Sequence, residues 1–307
     1  MRRHLAALLL ATAVLSGCAP PRSGSLGPAP TAAPTVPGPA TASPTTASPT
    51  TGGTTTGAPP PATSGSRPAP ETPAPTGAPA PTGTVTVELW FVRDGRLAPT
   101  RRTRPSTLAT SRLALTELAA GPTRAEAATG LTTLVPAGSE PLAVASGVAA
   151  VRLAATAGDA ATVRLRQAQV VWTLTQFSTV RQVRFDPPAG APDGPVGRAD
   201  YADLLPPVVV TNPTVGQRVS SPLTVAGTAD VFEATVSLRV LDADGREIAT
   251  TFTTAGCGSG CRGDYRAVVT WRVAHEQPGT IEAYEVSARD GARVNLVRVP
   301  VTLVPGR

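Results

Sequence analysis

The sequence predicts an α+β domain, with a small sheet covered by two helices, followed by an all-β sandwich. A disordered Pro/Thr-rich N-terminal linker precedes both. Three observations carry this reading. Of the 34 prolines in 307 residues, 18 fall within residues 19–83, a stretch with no aromatic residue and three charges, Arg22, Arg67 and Glu71. Such a segment cannot bury enough apolar surface to offset its ordering entropy, and polyproline II character is expected. Residues 84–188 then alternate strand and helix signals in the order β-α-β-β-α-β. Residues 207–305 show short alternating runs between turn signals, about seven strands, as a sandwich requires.

The first folded segment opens with Val85-Thr86-Val87-Glu88-Leu89-Trp90-Phe91-Val92, a β-branched and aromatic strand, and Asp94-Gly95 supplies a turn. Pro105-Ser106-Thr107 is a helix start signal, with Leu108, Ser111, Leu115 and Leu118 at helical spacing until Gly121-Pro122. A further helical turn is expected over Thr123–Ala128, then strands near 140–146 and 148–154. A longer helix is expected over 161–178, with Val163, Val170, Leu174 and Phe177 on one face, and a closing strand over Val180–Phe185. In the second segment Asn212-Pro213, Asp242-Ala243-Asp244-Gly245 and Arg289-Asp290-Gly291 mark turns. Val236, Leu238 and Val240 alternate with polar neighbours, as do Tyr265, Ala267, Val269 and Trp271, which is the pattern of half-buried strands. Residues 189–206 are expected to be an interdomain linker, so proteolysis should leave two resistant cores.

Ahead of the linker, Met1-Arg2-Arg3 precedes an apolar stretch from Leu5 to Leu15 and then Ser16-Gly17-Cys18. A basic start, an apolar core too short to span a bilayer and small residues at a cleavage point describe an export signal over residues 1–17. Its last residues, Leu15-Ser16-Gly17-Cys18, resemble the lipobox of bacterial lipoproteins. The resemblance implies cleavage before Cys18, attachment of a diacylglycerol to its thiol, and a chain lipid-anchored at the outer face of the cell membrane. Residues 18–83 then act as a tether, about 200 Å long when extended and roughly 45 Å as a flexible coil. The chain holds no lysine; all 27 basic residues are arginine, a bias expected of a GC-rich genome rather than of chemistry.

Residues 84–188 resemble the GerMN domain of spore germination and sporulation proteins. The matching pieces are Glu88-Leu89-Trp90-Phe91-Val92, Leu97–Arg102, Leu118–Thr123 with Glu126, Gly130-Leu131 ahead of Val135-Pro136, and Gln169–Phe177. The Gly-Pro-x-x-x-Glu of residues 121–126 and the patch QVVWTLTQF are the specific parts. The family's second inner strand carries an acid followed by Leu and Ser, whereas here it reads Val151-Arg152-Leu153-Ala154. Residues 207–305 resemble Gmad2, an immunoglobulin-like module that commonly follows GerMN. Asn212-Pro213, Ser221–Ala229, Val231–Val236, Arg262-Gly263 and Asp290-Gly291 carry the likeness. Domains of both types occur where no spores are made, so the resemblance alone does not imply germination.

With Cys18 lipidated, Cys257 and Cys261 remain in Cys257-Gly258-Ser259-Gly260-Cys261, a pair best read as a small loop-closing disulfide in an oxidising compartment. A ring this short contributes about 2 kcal/mol at most. Half a zinc site is the competing reading, but with one histidine left in the mature chain no four-ligand metal site is expected. Nucleophilic catalysis needs a base, and His275, in a loop between strands, is the sole histidine candidate. Asp200 and Asp203 sit in the linker and suit caps; Asp242 and Asp244 are turn formers. Glu233 suits a carboxylate accepting from backbone donors at a strand start. No phosphate loop or nucleotide fingerprint is present, and no cofactor is expected.

Residues 84–188 hold 12 arginines against 7 acids and residues 189–307 hold 11 against 13, so the first domain is the basic one. Arg101, Arg102 and Arg104, read as exposed, form a candidate polyanion-binding cluster for wall polymer or lipid head groups rather than nucleic acid. Two functional classes follow. The first is a non-catalytic envelope lipoprotein presenting its modules to envelope proteins or anionic wall polymers. The second is a peptidoglycan-acting enzyme or an accessory factor to one.

Overall fold

The computed structural model describes residues 82–187, 190 and 193–306. The expected signal peptide, Cys18 and all but the last two residues of the expected tether lie outside them.

A run rich in β-branched and aromatic side chains builds β1 (Thr84–Arg93), which turns back at once into β2 (Arg96–Pro105). The two-residue turn is Asp94-Gly95, both at positive φ (52° and 71°), the conformation whose twist suits a tight antiparallel hairpin. Beyond it come α1 (Thr110–Ala120), α2 (Arg124–Ala127), β3 (Glu140–Ala145), β4 (Val148–Arg152), α3 (Ala160–Leu174) and β5 (Gln182–Phe185). The order is therefore β-β-α-α-β-β-α-β, and the small sheet is divided into the β1-β2 ribbon and a three-stranded sheet β3-β4-β5. In the latter, β4 and β5 run parallel with α3 as their crossover. Leu89, Phe91, Leu97, Leu115, Leu118, Val151, Val170, Leu174 and Val183 form one fully buried core between ribbon, helices and sheet.

Boundaries of α1, α3 and β5 differ from the sequence reading. Pro105 is still strand, so α1 begins at Thr110 and Leu108 projects into solvent, 89 % exposed. The α3 helix starts one residue early on its Asp159 cap, whose Oδ1 accepts from Thr162 N at 2.8 Å, and ends at Leu174 with Thr175 as its cap, leaving Phe177 in the following turn. The closing strand starts at Gln182 rather than Val180.

The second domain is a two-sheet sandwich of eight strands. They are β6 (Val208–Asn212), β7 (Arg218–Ser220), β8 (Leu223–Ala229), β9 (Thr235–Leu241), β10 (Glu247–Thr254), β11 (Gly263–Val269), β12 (Gln277–Val286) and β13 (Arg293–Val304). One sheet runs β10-β9-β12-β13-β7 and the other β11-β8-β6. The alternation predicted for β9 and β11 is observed: Val236, Leu238, Val240, Tyr265 and Val269 point inward.

Residues 193–206 do not behave as the expected free linker. Residues 198–204 form a 3₁₀ segment, and Val196, Tyr201 and Leu205 are buried in the core of the first domain. Val209 of the sandwich joins the same core, and the described residues fall into one compact unit. The physical reason is composition: a stretch carrying Tyr, two Leu and Val has apolar surface to bury.

Candidate functional site

The arginine cluster lies on β2, and it is not three exposed cations. Arg102 points inward and its side chain is 7 % exposed. Its Nη1 donates to Glu117 Oε2 at 3.1 Å, and its Nη2 to Glu126 Oε2 at 2.7 Å and Gly121 O at 2.9 Å. Glu126 also closes the capping box of α2, accepting from Thr123 N at 2.6 Å, while Thr100 Oγ1 donates to it at 2.7 Å. This explains the Gly-Pro-x-x-x-Glu patch: the glycine carbonyl and the glutamate are the two ends of a cradle for Arg102. Arg104 makes a two-pronged contact with Glu117, Nε to Oε1 at 2.7 Å and Nη2 to Oε2 at 2.8 Å. Arg101 lies 3.6 Å from Glu88. The reading of all three as an exposed surface is corrected at Arg102, whose buried guanidinium has two carboxylates and a carbonyl on its Nη atoms, with Nε alone left without a partner among the described residues.

Burial alone would raise the carboxyls of Glu126 and Glu117, but hydrogen bonds and the adjacent guanidiniums outweigh it and hold both below the ordinary value of 4.5. Glu282, buried in β12 between Arg239 Nε at 2.5 Å and Arg298 Nε at 3.0 Å, is lowered by the same balance. Groups depressed on folding stabilise the native state above the unfolded-state pKa and lose that contribution as pH falls through the folded value. Stability is therefore expected to be flat from pH 7 to about pH 5 and to drop progressively below about pH 4.5. Thermal melts across pH 3–7 check this; a melting temperature unchanged at pH 3 would contradict it.

The remaining sequence candidates take up local roles. His275 is exposed at a bend between β11 and β12. Asp200 Oδ2 accepts from Gly197 N at 2.7 Å, and Asp203 pairs with Arg164 through both oxygens at 2.7 and 2.8 Å. Asp242 Oδ1 accepts from Asp244 N and Arg246 N and so closes its turn. Glu233 is exposed in a 3₁₀ turn at φ 52°, and the backbone donor expected to need it is satisfied by another residue, Glu285 Oε1 accepting from Phe232 N at 3.1 Å. Cys257 and Cys261 have Cα atoms 5.7 Å apart. Among the described residues no three His, Cys, Asp or Glu side chains are grouped to hold a metal ion.

The site that sequence reasoning missed is a cleft of about 620 Å³ between the two domains. Its floor is the outward face of β11-β8-β6, carrying Thr211, Thr228, Asp264 and Arg266. Its wall is Trp90 of β1, Trp172 of α3 and Arg198 of the 3₁₀ segment. Trp90 and Trp172 have ring centroids 4.7 Å apart, and the Arg198 guanidinium lies over the Trp172 ring at 4.6 Å. Arg198 is oriented by Thr175 Oγ1 at 2.8 Å and Trp172 O at 3.1 Å. Across the cleft, Arg262 donates to Pro206 O at 2.7 Å and Thr228 Oγ1 at 3.2 Å. Both guanidiniums thus rest on neutral oxygens, and burial lowers the pKa of each. Glu88, also in the lining, is occupied: Oε1 accepts from Trp90 Nε1 at 2.9 Å. The signal was in the sequence, since Trp172 belongs to QVVWTLTQF and Arg262 to Arg262-Gly263, patches on which the two family resemblances rest. A second cleft, about 570 Å³, is lined by Arg93, Arg96 and Arg298 among others; Arg96 there donates to Asp203 O and Leu205 O, and Arg298 to Glu282.

Residues 78–186 match the family model Germane, described as "Sporulation and spore germination". Residues 207–292 match the model Gmad2, described as "Immunoglobulin-like domain of bacterial spore germination". Among solved structures, the chain is similar to the first GerMN domain of the sporulation protein GerM from Bacillus subtilis at 22% identity and TM-score 0.32, covering 38% of this chain and 99% of that one. It is similar to the tandem GerMN domains of the same protein at 15% identity and TM-score 0.32, covering 73% of this chain and 61% of that one. CopC from Methylosinus trichosporium OB3b matches at 15% identity and TM-score 0.22, over 33% of this chain and 96% of that one. No curated protein sequence matches the chain.

Proposed function

We propose that this chain, in which a GerMN domain is followed by a Gmad2 immunoglobulin-like domain, is a non-catalytic binding lipoprotein of the cell envelope. Its folded part works as one body, and an envelope component is held in the cleft that both domains line. One observation carries the reading: the most specific patch of the first domain and a marker of the second, Trp172 and Arg262, meet in that cleft. The interior carboxylates support it, because Glu117, Glu126 and Glu282 are each engaged by arginine. Anchoring is assigned to Cys18 on the resemblance of Leu15-Ser16-Gly17-Cys18 to the lipobox. Cys257 and Cys261 are read as a disulfide that pins the loop ahead of β11.

Cys18→Ala is expected to move the protein from the membrane fraction to the soluble fraction, because acyl chains supply the anchoring energy at about 0.8 kcal/mol per buried methylene. Persistent membrane association of a processed variant would refute the anchor. Pull-down of envelope components by the intact chain, run beside a zymogram on cell-wall substrate, tests binding against catalysis. A cleared zone in the zymogram would overturn the non-catalytic reading.

A further inference from the structure

We infer that the cleft between Trp172 and the β11-β8-β6 sheet is a binding site for a carboxylate-bearing glycan, with Arg198, Arg262 and Arg266 as its recognition groups. The inference rests on the reading of the cleft as the binding site and adds the chemistry of the ligand. Arg198 is held over the Trp172 ring at 4.6 Å and tied by Nε and Nη2, which leaves Nη1 uncommitted among the described residues. Arg262 is likewise fixed through Nη1 and Nη2. Arg266 stands exposed on β11, two residues from Asp264 on the same outward face. These are cations pre-oriented by neutral partners, so an incoming anion does not have to displace a carboxylate from Arg198 or Arg262.

The charge balance favours an anionic ligand. Glu88 accepts from Trp90 Nε1 and lies 3.6 Å from Arg101, so three arginines of the cleft, Arg198, Arg262 and Arg266, face two acids, Glu88 and Asp264. A planar guanidinium fork matches a planar carboxylate. The backbone argues for a glycan over an extended peptide. The floor strand β8 is paired on both sides, by β11 and β6. At the wall, Gln176 closes the main chain of β1, accepting from Glu88 N at 2.8 Å and donating to Glu88 O at 2.7 Å. Strand addition needs an open edge; at these two places the backbone is closed, and on the end strand β11 the carbonyls of Asp264 and Arg266 already accept from Gly256 N at 2.9 Å and Thr253 Oγ1 at 3.0 Å, so the ligand is read through side chains.

The test uses the full chain purified in detergent and a galacturonic acid tetramer as probe, with cellotetraose, tetraglutamate and a glycerol phosphate oligomer as alternatives. Binding of the galacturonate tetramer is expected, weakening as salt rises. Arg198→Gln and Arg266→Gln are each expected to weaken it about tenfold or more. The Arg266 side chain is exposed on β11, so its variant guards against loss of folding. Equal binding of cellotetraose, tighter binding of tetraglutamate or of the phosphate oligomer, or no binding of galacturonate would each overturn the assignment. Co-sedimentation with purified cell-wall sacculi separates this from the wider reading. If the parent and both variants sediment alike, the chain is still an envelope binder and the cleft assignment falls. If the parent neither sediments nor captures any envelope component, the binding reading falls with it.

Discussion

Replacing Arg102 with glutamine is expected to destabilise the first domain by about 3–5 kcal/mol, the cost of breaking a buried ion pair from one side. Arg102 is held at the meeting point of Glu117, Glu126 and the Gly121 carbonyl. Without the guanidinium, Glu126 remains 4 % exposed and negatively charged, with Thr123 N and Thr100 Oγ1 as its remaining donors. Glutamine can restore one hydrogen bond but no charge. Arg104→Gln is the matched control. Its side chain is 40 % exposed, so the loss is expected to be about 1 kcal/mol or less. Urea unfolding reads both. A midpoint for Arg102→Gln within error of Arg104→Gln would show that the pair is not desolvated as described. The comparison also separates the two views of this arginine cluster, because a polyanion-binding surface would lose affinity in both variants with little change in stability.

What the sequence disclosed and what it hid have the same cause. Apolar alternation in β9, the long helix around Val170 and Leu174, and the Asp94-Gly95 turn are local patterns, and each is present where it was expected. The β2 strand was invisible because Arg-Leu-Ala-Pro-Thr-Arg-Arg-Thr-Arg-Pro carries two prolines and four arginines, a composition that reads as a solvated loop. It is nonetheless a strand with Ala98, Thr100 and Arg102 buried on one face and Leu97 buried on the other. The partners that allow Arg102 to be buried, Glu117 and Glu126, lie 15 and 24 residues away in helices. No periodicity within β2 could announce them. The cleft was hidden for the same reason at longer range. Trp172 and Arg262 were singled out separately, as marks of two domains, and only the packing of the segment between those domains brings them to one surface.

That segment supplies the second large effect. Digestion of the parent protein is expected to leave one resistant core spanning both domains, where the sequence predicted two. Tyr201 is the reason. It is 2 % exposed, its OH donates to Gln167 Oε1 at 3.1 Å, and the Arg164 guanidinium lies 5.4 Å over its ring. Burial pushes the phenol up to about 12, so it stays a neutral donor throughout the physiological range. Removing a buried aromatic ring costs about 3–5 kcal/mol. Tyr201→Ala should therefore release the 3₁₀ segment, expose the bond after Arg198 to trypsin and divide the core into two fragments. Tyr201→Phe keeps the ring and loses one hydrogen bond, about 1 kcal/mol, and should digest like the parent. The consequence reaches the cleft, because Arg198 sits on the same segment and is aligned on Trp172 only while that segment is docked. Tyr201→Ala, a residue outside the cleft, is then expected to weaken galacturonate binding along with protease resistance, whereas Tyr201→Phe should spare both. Two resistant fragments from the parent, or a Tyr201→Ala core as durable as the parent's, would show that the segment is the free linker its position between domains first implied.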